Sequence, residues 1–223
     1  MFICIVFAFF ISMGIFAACY SNHLSRKRVE QLQAVASDLG LEYRDNGSKL
    51  LMKQLEKFEL TFVDNRKKIA NVISGETDNV SISIFDLQFS VGKSQESQRH
   101  TQTTVILGSP QLSLPKFELR TEIFLDKMFG KMLDHQDIDF ESHPDFSKKF
   151  VLAGDEAAVR DLFQPHILEF FEGKNDVFVE GAGDEIVFYR FGKKVNPDSI
   201  KSLFAEVYEL YGVFSESSKV ALA

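Results

Sequence analysis

The first 20 residues of the chain, Met1 to Tyr20, contain no charged side chain, although the full 223 residues carry 25 Lys and Arg and 32 Asp and Glu. As a helix this segment would be about 30 Å long, which matches the hydrocarbon thickness of a bilayer. A uniform soluble globule is not expected to keep charge out of so long a stretch. The sequence therefore predicts a transmembrane helix at residues 1–20, followed by one or two modest domains.

Three interpretations of this apolar segment are open. A cleaved secretory signal would begin with a basic region, but the first Lys or Arg is Arg26. A lipoprotein signal is suggested by the sequence at residues 16–19, Phe-Ala-Ala-Cys, which resembles a lipobox with Cys19 as the lipidated residue. That interpretation lacks the basic start as well.

An uncleaved helix is the favoured interpretation, because Arg26, Lys27 and Arg28 form a basic flank after it and such flanks stay in the cytoplasm. These three residues are then the membrane topology signal. The chain is predicted to be a single-pass protein of the cell (inner) membrane that contacts the lipid bilayer through residues 1–20 and has its domain in the cytoplasm.

The composition excludes several classes of function. A net charge of −7 and a pI near 5.3 make nucleic acid an unexpected partner. Both cysteines, Cys4 and Cys19, lie inside the apolar segment. The remainder of the sequence therefore offers no disulfide, no thiolate nucleophile and no cysteine-based zinc site.

The rest of the sequence predicts an α+β fold, with an N-terminal transmembrane helix followed by an antiparallel-sheet domain and flanking helices. We expect a basic juxtamembrane helix at 21–40, since Val29, Leu32, Val35, Ala36 and Leu39 recur at helical spacing. Two α+β halves follow at 41–134 and 135–214, and a disordered tail is predicted at 215–223. Strands are predicted at 41–44, 69–74, 80–91, 103–107, 117–120, 150–153, 177–180 and 185–191. Helices are predicted at 48–57, 122–133, 155–171 (with a kink or a break at Pro165) and 198–211.

The two halves share a pattern. Gly75, Asp78 and Val80 have the same spacing as Gly181, Asp184 and Ile186, and each set falls in a predicted hairpin that follows a short strand and a helix. One hypothesis is a duplication that produced two related strand–helix–hairpin–helix halves. The alternative is convergent turn chemistry, since Gly and Asp are common in turns.

One stretch carries metal-ligating side chains at every second position, namely His135, Asp137, Asp139, Glu141, His143 and Asp145. In an extended strand they would share one face, and carboxylates with imidazoles suit a divalent metal. The metal candidates are Asp137, Asp139, Glu141 and His143. An EF-hand does not fit, because Ser142 and Lys148 occupy the positions that need Gly and Glu. The alternative is a solvated connecting strand whose other face, Ile138 and Phe140, points inward.

No complete catalytic or cofactor motif is present. The Gly-Lys-Ser sequence at residues 92–94 has Leu87 where a phosphate loop needs its first glycine, and the Gly-Ala-Gly sequence at 181–183 leads into a strand instead of a helix. No Gly-x-Ser-x-Gly elbow occurs. We therefore predict no catalytic residue and no cofactor. The chain has 23 phenylalanines, and most of them are expected to pack in the core.

Several segments resemble a group of uncharacterised bacterial proteins that have one N-terminal transmembrane helix, a basic flank and a domain of unknown function. The segments are 71–75 (NVISG), 84–86 (IFD), 114–120 (LPKFELR), 137–140 (DIDF) and the pattern across 146–163. The resemblance covers most of the chain, including the anchor. It implies location and architecture and supplies no activity or catalytic residue.

The leading hypothesis is a membrane-anchored interaction or scaffold module that binds a protein partner through its cytoplasmic α+β domain. A rival from another class is a metal-dependent hydrolase that uses the stretch 135–145. A third is a periplasmic or surface lipoprotein lipidated at Cys19.

Overall fold

The computed structural model describes residues 2–58, 60, 67–77, 79–91, 98–121 and 137–221. Within these ranges it contains six α-helices and an eight-stranded antiparallel sheet. The helices are α1 (Phe2–Asp38), α2 (Lys49–Leu55), α3 (Pro144–Lys149), α4 (Glu156–Leu162), α5 (Pro165–Glu172) and α6 (Ile200–Ala221), the last preceded by a 3-10 turn at Pro197–Ser199.

The strands are β1 (Glu42–Asn46), β2 (Lys68–Glu76), β3 (Ser81–Val91), β4 (Gln98–Gly108), β5 (Leu114–Thr121), β6 (Phe150–Gly154), β7 (Phe178–Gly183) and β8 (Glu185–Tyr189). Their order in the sheet is β1-β2-β3-β4-β8-β7-β5-β6. The predicted α+β class with an antiparallel sheet is confirmed.

Helix α1 is continuous from Phe2 to Asp38, with no break between the predicted membrane segment at 1–20 and the predicted juxtamembrane helix at 21–40. Its C-terminal half packs on the sheet, where Leu32 and Ala36 are each 2% exposed. Gly40, at φ +68°, ends the helix and turns the chain into β1.

Among the residues whose side chains the structure describes, no helix combines the length and the apolar character that a membrane span requires. Most side chains of the predicted membrane segment lie outside that set. Those of Met13, Phe16 and Tyr20 are described, and all three are exposed.

Local sequence signals set the ends of the shorter helices. The Ser48 hydroxyl accepts a hydrogen bond from the Leu51 amide at the start of α2, and the Asp155 carboxylate caps α4 in the same way through the Ala158 amide. The helical conformation is interrupted before Gln164, which is the N-cap of α5, and Pro165 is the first residue of α5. The predicted single helix at 155–171 is therefore two helices, as the proline indicated.

The sheet separates two apolar cores. The larger one lies between the sheet and helices α1, α3, α4, α5 and α6, and its centre is a group of phenylalanine rings in mutual contact: Phe117, Phe146, Phe150, Phe163, Phe171 and Phe214. The smaller core lies on the opposite face under α2 and includes Leu55, Phe85 and Phe89. Most of the phenylalanines whose side chains the structure describes are buried in one of the two cores.

Both predicted halves contribute strands to this one sheet. The first contains the unit β1–α2–β2–β3, in which β1 pairs with β2, and the second contains β6–α4–α5–β7–β8. In the second unit, β5 lies between β6 and β7 and pairs with both. The two units thus share an element order and differ in strand adjacency.

The glycines at equivalent positions of the two units, Gly75 and Gly181, both lie within strands. Gly75 is in β2 under the side chain of Leu41, and Gly181 is in β7 under the ring of Phe117, so that a Cβ at either position would collide with its neighbour. Close approach, not turn chemistry, explains why glycine occupies both positions.

The predicted disordered tail at 215–223 is wrong for residues 215–221, which continue helix α6. Ser215 and Ser217 are buried, at 6% and 8% exposure, and the Ser217 hydroxyl lies 2.9 Å from His166 Nε2. These contacts with α5 hold the end of the helix in place. The predicted helix at 122–133 and residues 222–223 lie outside the described residues.

Candidate functional site

A buried carboxylate joins helix α1 to the sheet. Asp86 in β3 is 2% exposed, in a strand that is otherwise mostly apolar. Its Oδ1 accepts from Arg28 Nη2 at 3.0 Å and its Oδ2 from Arg28 Nε at 3.2 Å, a two-pronged pairing with the guanidinium. Arg28 Nη1 donates to the Val195 carbonyl at 2.8 Å. Helix α1 is therefore fixed to the middle of β3 and to the loop after β8.

Two neutral side chains complete the carboxylate's hydrogen bonds. Thr103 in β4 donates to Oδ1 at 3.0 Å, and Asn71 in β2 donates to Oδ2 at 2.9 Å. With the two bonds from Arg28, each oxygen of Asp86 accepts two hydrogen bonds, which is the full capacity of a carboxylate. We call Arg28, Asn71, Asp86, Thr103 and Val195 the anchor clamp.

A β-bulge positions Asn71. The pairing of β2 with β3 shifts register between Ala70 and Ile73, and Asn71 adopts φ +52°. Asparagine tolerates this left-handed conformation better than most residues. The bulge turns its amide toward Asp86, while its Oδ1 accepts from the Tyr43 hydroxyl at 2.8 Å. Burial, together with nearby Asp45, raises the pKa of Tyr43 to about 12.

An open groove of about 660 Å³ lies beside the edge strand β1, between the sheet and α2. Its walls include Glu42 and Arg44 of β1, Ser74 of β2 and Ser83 of β3. Leu50 of α2 is 69% exposed at its rim. We call this the edge groove.

The two edges of the sheet differ. The β6 edge is covered by residues 137–138, where Ile138 N–H donates to the Leu152 carbonyl at 2.9 Å and Asp137 accepts from the Leu152 amide at 3.0 Å. Strand β1 pairs only with β2 among the described residues, and four of its five residues are exposed. The β1 edge is thus the more accessible one for another chain.

Polar side chains are also buried on the α2 face of the sheet. Glu118 in β5 lies opposite Glu180 in β7, and Arg120 Nη1 donates to Glu118 at 3.2 Å. Glu180 also accepts from the Tyr189 hydroxyl at 3.2 Å and from the Leu60 amide at 3.1 Å. Burial raises the pKa of Tyr189 well above its ordinary value.

These carboxylates are 8% and 3% exposed, and neither lines the edge groove. The hydrogen bonds of Glu180 join β7 to β8 and hold Leu60 against the sheet, and the bond between Arg120 and Glu118 lies within β5. The contacts described are those of a structural network across the strands.

The predicted metal candidates are spread along an irregular segment. Asp137 bonds the Leu152 amide, Asp139 and Glu141 are exposed, and His143 Nδ1 lies 3.0 Å from the Ser142 hydroxyl. Within the described ranges, no three His, Cys, Asp or Glu side chains are close enough together to hold a metal ion. His135 lies outside the described residues. Ile138 is 2% exposed, so it faces inward, as the alternative hypothesis of a connecting segment expects.

The topology-signal residues have different environments. Arg26 and Lys27 are exposed, whereas Arg28 is partly buried in the clamp. The sequence pattern did not identify Asp86 as its partner. One signal was present, because Ile82, Ile84 and Asp86 share a strand face, and an acidic residue on an apolar face usually has a partner.

Comparison with solved structures finds a likeness to the crystal structure of the mycobacterial trehalose monomycolate transport factor A, TtfA. The TM-score is 0.56 at 13% sequence identity, and the match covers 86% of this chain and 94% of that chain. At this identity the likeness shows the fold alone. No family model and no curated protein matches the sequence.

Proposed function

We propose that the chain is a single-pass, membrane-anchored accessory protein whose α+β domain is held at the cytoplasmic face of the membrane and binds a partner protein. The observation that carries this proposal is the continuity of α1. One helix contains the uncharged segment and then packs Leu32 and Ala36 into the domain core.

The sequence around the end of the uncharged segment supports a membrane boundary there. Tyr20 and Leu24 are 57% and 47% exposed, and the exposed Arg26 and Lys27 follow within two turns of helix. Tyrosine is enriched at bilayer interfaces, and short basic flanks stay in the cytoplasm. Arg28, where the clamp joins α1 to the sheet, lies about 12 Å along the helix axis from Tyr20.

The likeness to TtfA supports an accessory role. That protein is named as a transport factor, and it shares the fold over most of both chains. The resemblance to single-pass bacterial proteins with a domain of unknown function agrees with the same arrangement. Lipidation at Cys19 remains an alternative mode of anchoring, with the opposite orientation.

The edge groove is the proposed partner surface. It is open, it adjoins an accessible strand edge, and exposed Leu50 gives it an apolar contact point. An extended segment of a partner could add to β1 and place side chains in the groove, which is a common mode of peptide recognition.

Orientation is tested by fusing a reporter that is active only in the cytoplasm to Ala223 of the full chain. The proposal expects activity in the membrane fraction. An intact fusion without activity, or a mature mass that shows cleavage before Cys19, would contradict it.

The partner surface is tested by placing a photo-crosslinking amino acid at Leu50 in cells. We expect a discrete crosslinked product that Ser83→Arg abolishes by filling the groove. Tyr208, which is 50% exposed on α6, is the matched control position and should give no such product. Equal crosslinking at both positions would remove the groove from the proposal.

A further inference from the structure

A second, smaller cleft of about 290 Å³ lies on the sheet face that α1 covers, and the described residues that line it include two cations and no carboxylate. Lys68 of β2, Gln88 and Ser90 of β3, and Arg99 of β4 line it, together with Phe89, whose ring is buried on the opposite face. We propose that this basic cleft binds the phosphate of an anionic phospholipid headgroup, an inference that rests on the proposed membrane anchoring.

The register of the strands brings the polar groups together. Lys68 is paired with Gln88, and Ser90 with Arg99, so four donor side chains from three strands share one face. Lys68 and Arg99 are exposed, and within the described residues neither forms an ion pair. An arginine fork with a lysine and two neutral donors suits a phosphate group.

The position of the cleft along α1 places it near the proposed membrane boundary. Leu41, just after the C-terminal end of α1, contacts Gly75, which pairs with Ile82 near the start of β3. Arg28, nearer the N-terminus of α1, contacts Asp86, which lies farther along β3. Moving toward the N-terminus of α1 therefore means moving toward the C-terminus of β3. Ser90 lies about 13 Å beyond Asp86, and Tyr20 about 12 Å beyond Arg28.

The surrounding charge also favours an anion. Arg26 and Lys27 are exposed on α1 in the same region, and Lys194, which is 40% exposed, lies 3.5 Å from the already saturated Asp86. A cleft of this size is at the small end of ligand sites, which fits a headgroup better than a whole lipid. The acyl chains would remain in the bilayer beside the helix.

The test uses the full chain in a neutral detergent and measures the melting temperature during titration with a short-chain phosphatidic acid. Ligand that binds the folded chain raises the melting temperature. We expect a saturable rise with phosphatidic acid and none with a short-chain phosphatidylcholine. In the double variant Lys68→Gln/Arg99→Gln, half-saturation should move about tenfold or more to higher concentration.

The control double variant Lys53→Gln/Lys148→Gln removes two exposed lysines outside the cleft and should titrate like the unmodified chain. If the double cleft variant does not fold, Arg99→Lys keeps the charge, loses the fork and should weaken binding by a smaller factor. Unchanged half-saturation in the folded cleft variants would overturn the site.

Titration with inorganic phosphate separates the two sources of the same chemistry. A rise at the same concentrations as phosphatidic acid would overturn the lipid assignment. Because this assay is independent of membrane orientation, its failure is distinguishable from failure of the reporter fusion.

Discussion

Arg28 and Asp86 lie 58 positions apart in the sequence and form two hydrogen bonds, of 3.2 and 3.0 Å, between helix α1 and strand β3. The pair is largely withdrawn from water, with side-chain exposures of 14% and 3%. A predicted topology signal is thus also a structural contact. Helix α1 and the sheet are one packed unit at this point.

Replacing Arg28 by Ala should lower the free energy of unfolding by about 2–3 kcal/mol, because the buried Asp86 carboxylate loses two charge-assisted hydrogen bonds while Lys194, 3.5 Å away, remains as a counter-charge. Chemical denaturation of the full chain in detergent measures this. Arg26→Ala and Lys27→Ala are matched controls at exposed positions and should change stability by less than about 0.5 kcal/mol. Equal effects at all three positions would show that the clamp contributes nothing.

Gly181→Ala should destabilise the fold by about 1–3 kcal/mol, since the new methyl group meets the Phe117 ring and overpacks the core. That ring cannot easily move, because Phe163 and Phe214 pack against it at centroid distances of 5.1 and 5.5 Å. Gly173→Ala is the control, with only ordinary contacts around its Cβ position. A thermal melt in which both variants match the unmodified chain would contradict the packing described.

The free energy of unfolding should decrease as the pH rises from about 10 to about 12. Tyr43 keeps its proton until its pKa of about 12 in the folded chain, whereas an unfolded tyrosine loses it near pH 10. The folded state therefore binds more protons in this window, and raising the pH favours unfolding. Tyr43→Phe should make this decline shallower when urea unfolding is compared at about pH 9 and about pH 11, and the exposed Tyr208→Phe should not. An unchanged slope in Tyr43→Phe would contradict the raised pKa of the partly buried Tyr43 phenol.

Asp137→Ala should lower the free energy of unfolding by about 1 kcal/mol, because it removes the acceptor for the Leu152 amide. Asp139→Ala, at an exposed side chain, should have little effect.

Adding Mn²⁺ or Zn²⁺ to the unmodified chain should not raise its melting temperature. A metal-induced rise that both variants lose would instead support the rival hydrolase hypothesis.

Local periodicity predicted much of the fold. The spacing of Leu32 and Ala36 indicated which face of α1 packs on the domain, and Pro165 indicated the break between α4 and α5. These features depend on side chains a few positions apart. The same holds for the cap residues Ser48 and Asp155.

Features that depend on distant residues were not predictable in this way. The partner of Arg28 is set by the sheet register, and the insertion of β5 between β6 and β7 is a property of the whole sheet. The Asn71 bulge is a single-residue irregularity that strand alternation does not reveal. The end of α6 was predicted to be disordered because it is polar. Its contact with His166, which belongs to another helix, cannot be read from the local sequence.

The basic cleft was missed for the same reason. Lys68 and Arg99 belong to strands that are not neighbours in the sheet, and each lies at the end of a strand where a solvated cation is ordinary. Only the register with β3 brings them to one cleft with Gln88 and Ser90.

In the proposed membrane-anchored chain, α1 and the domain are expected to move as one rigid body. The most direct measurement is the distance distribution between spin labels at Tyr20 and Lys148, with Cys4 and Cys19 replaced, in lipid nanodiscs. We predict one narrow distribution that broadens when Arg28 is replaced by Ala. A broad distribution in the chain that retains Arg28 would show that α1 and the domain do not move as one rigid body.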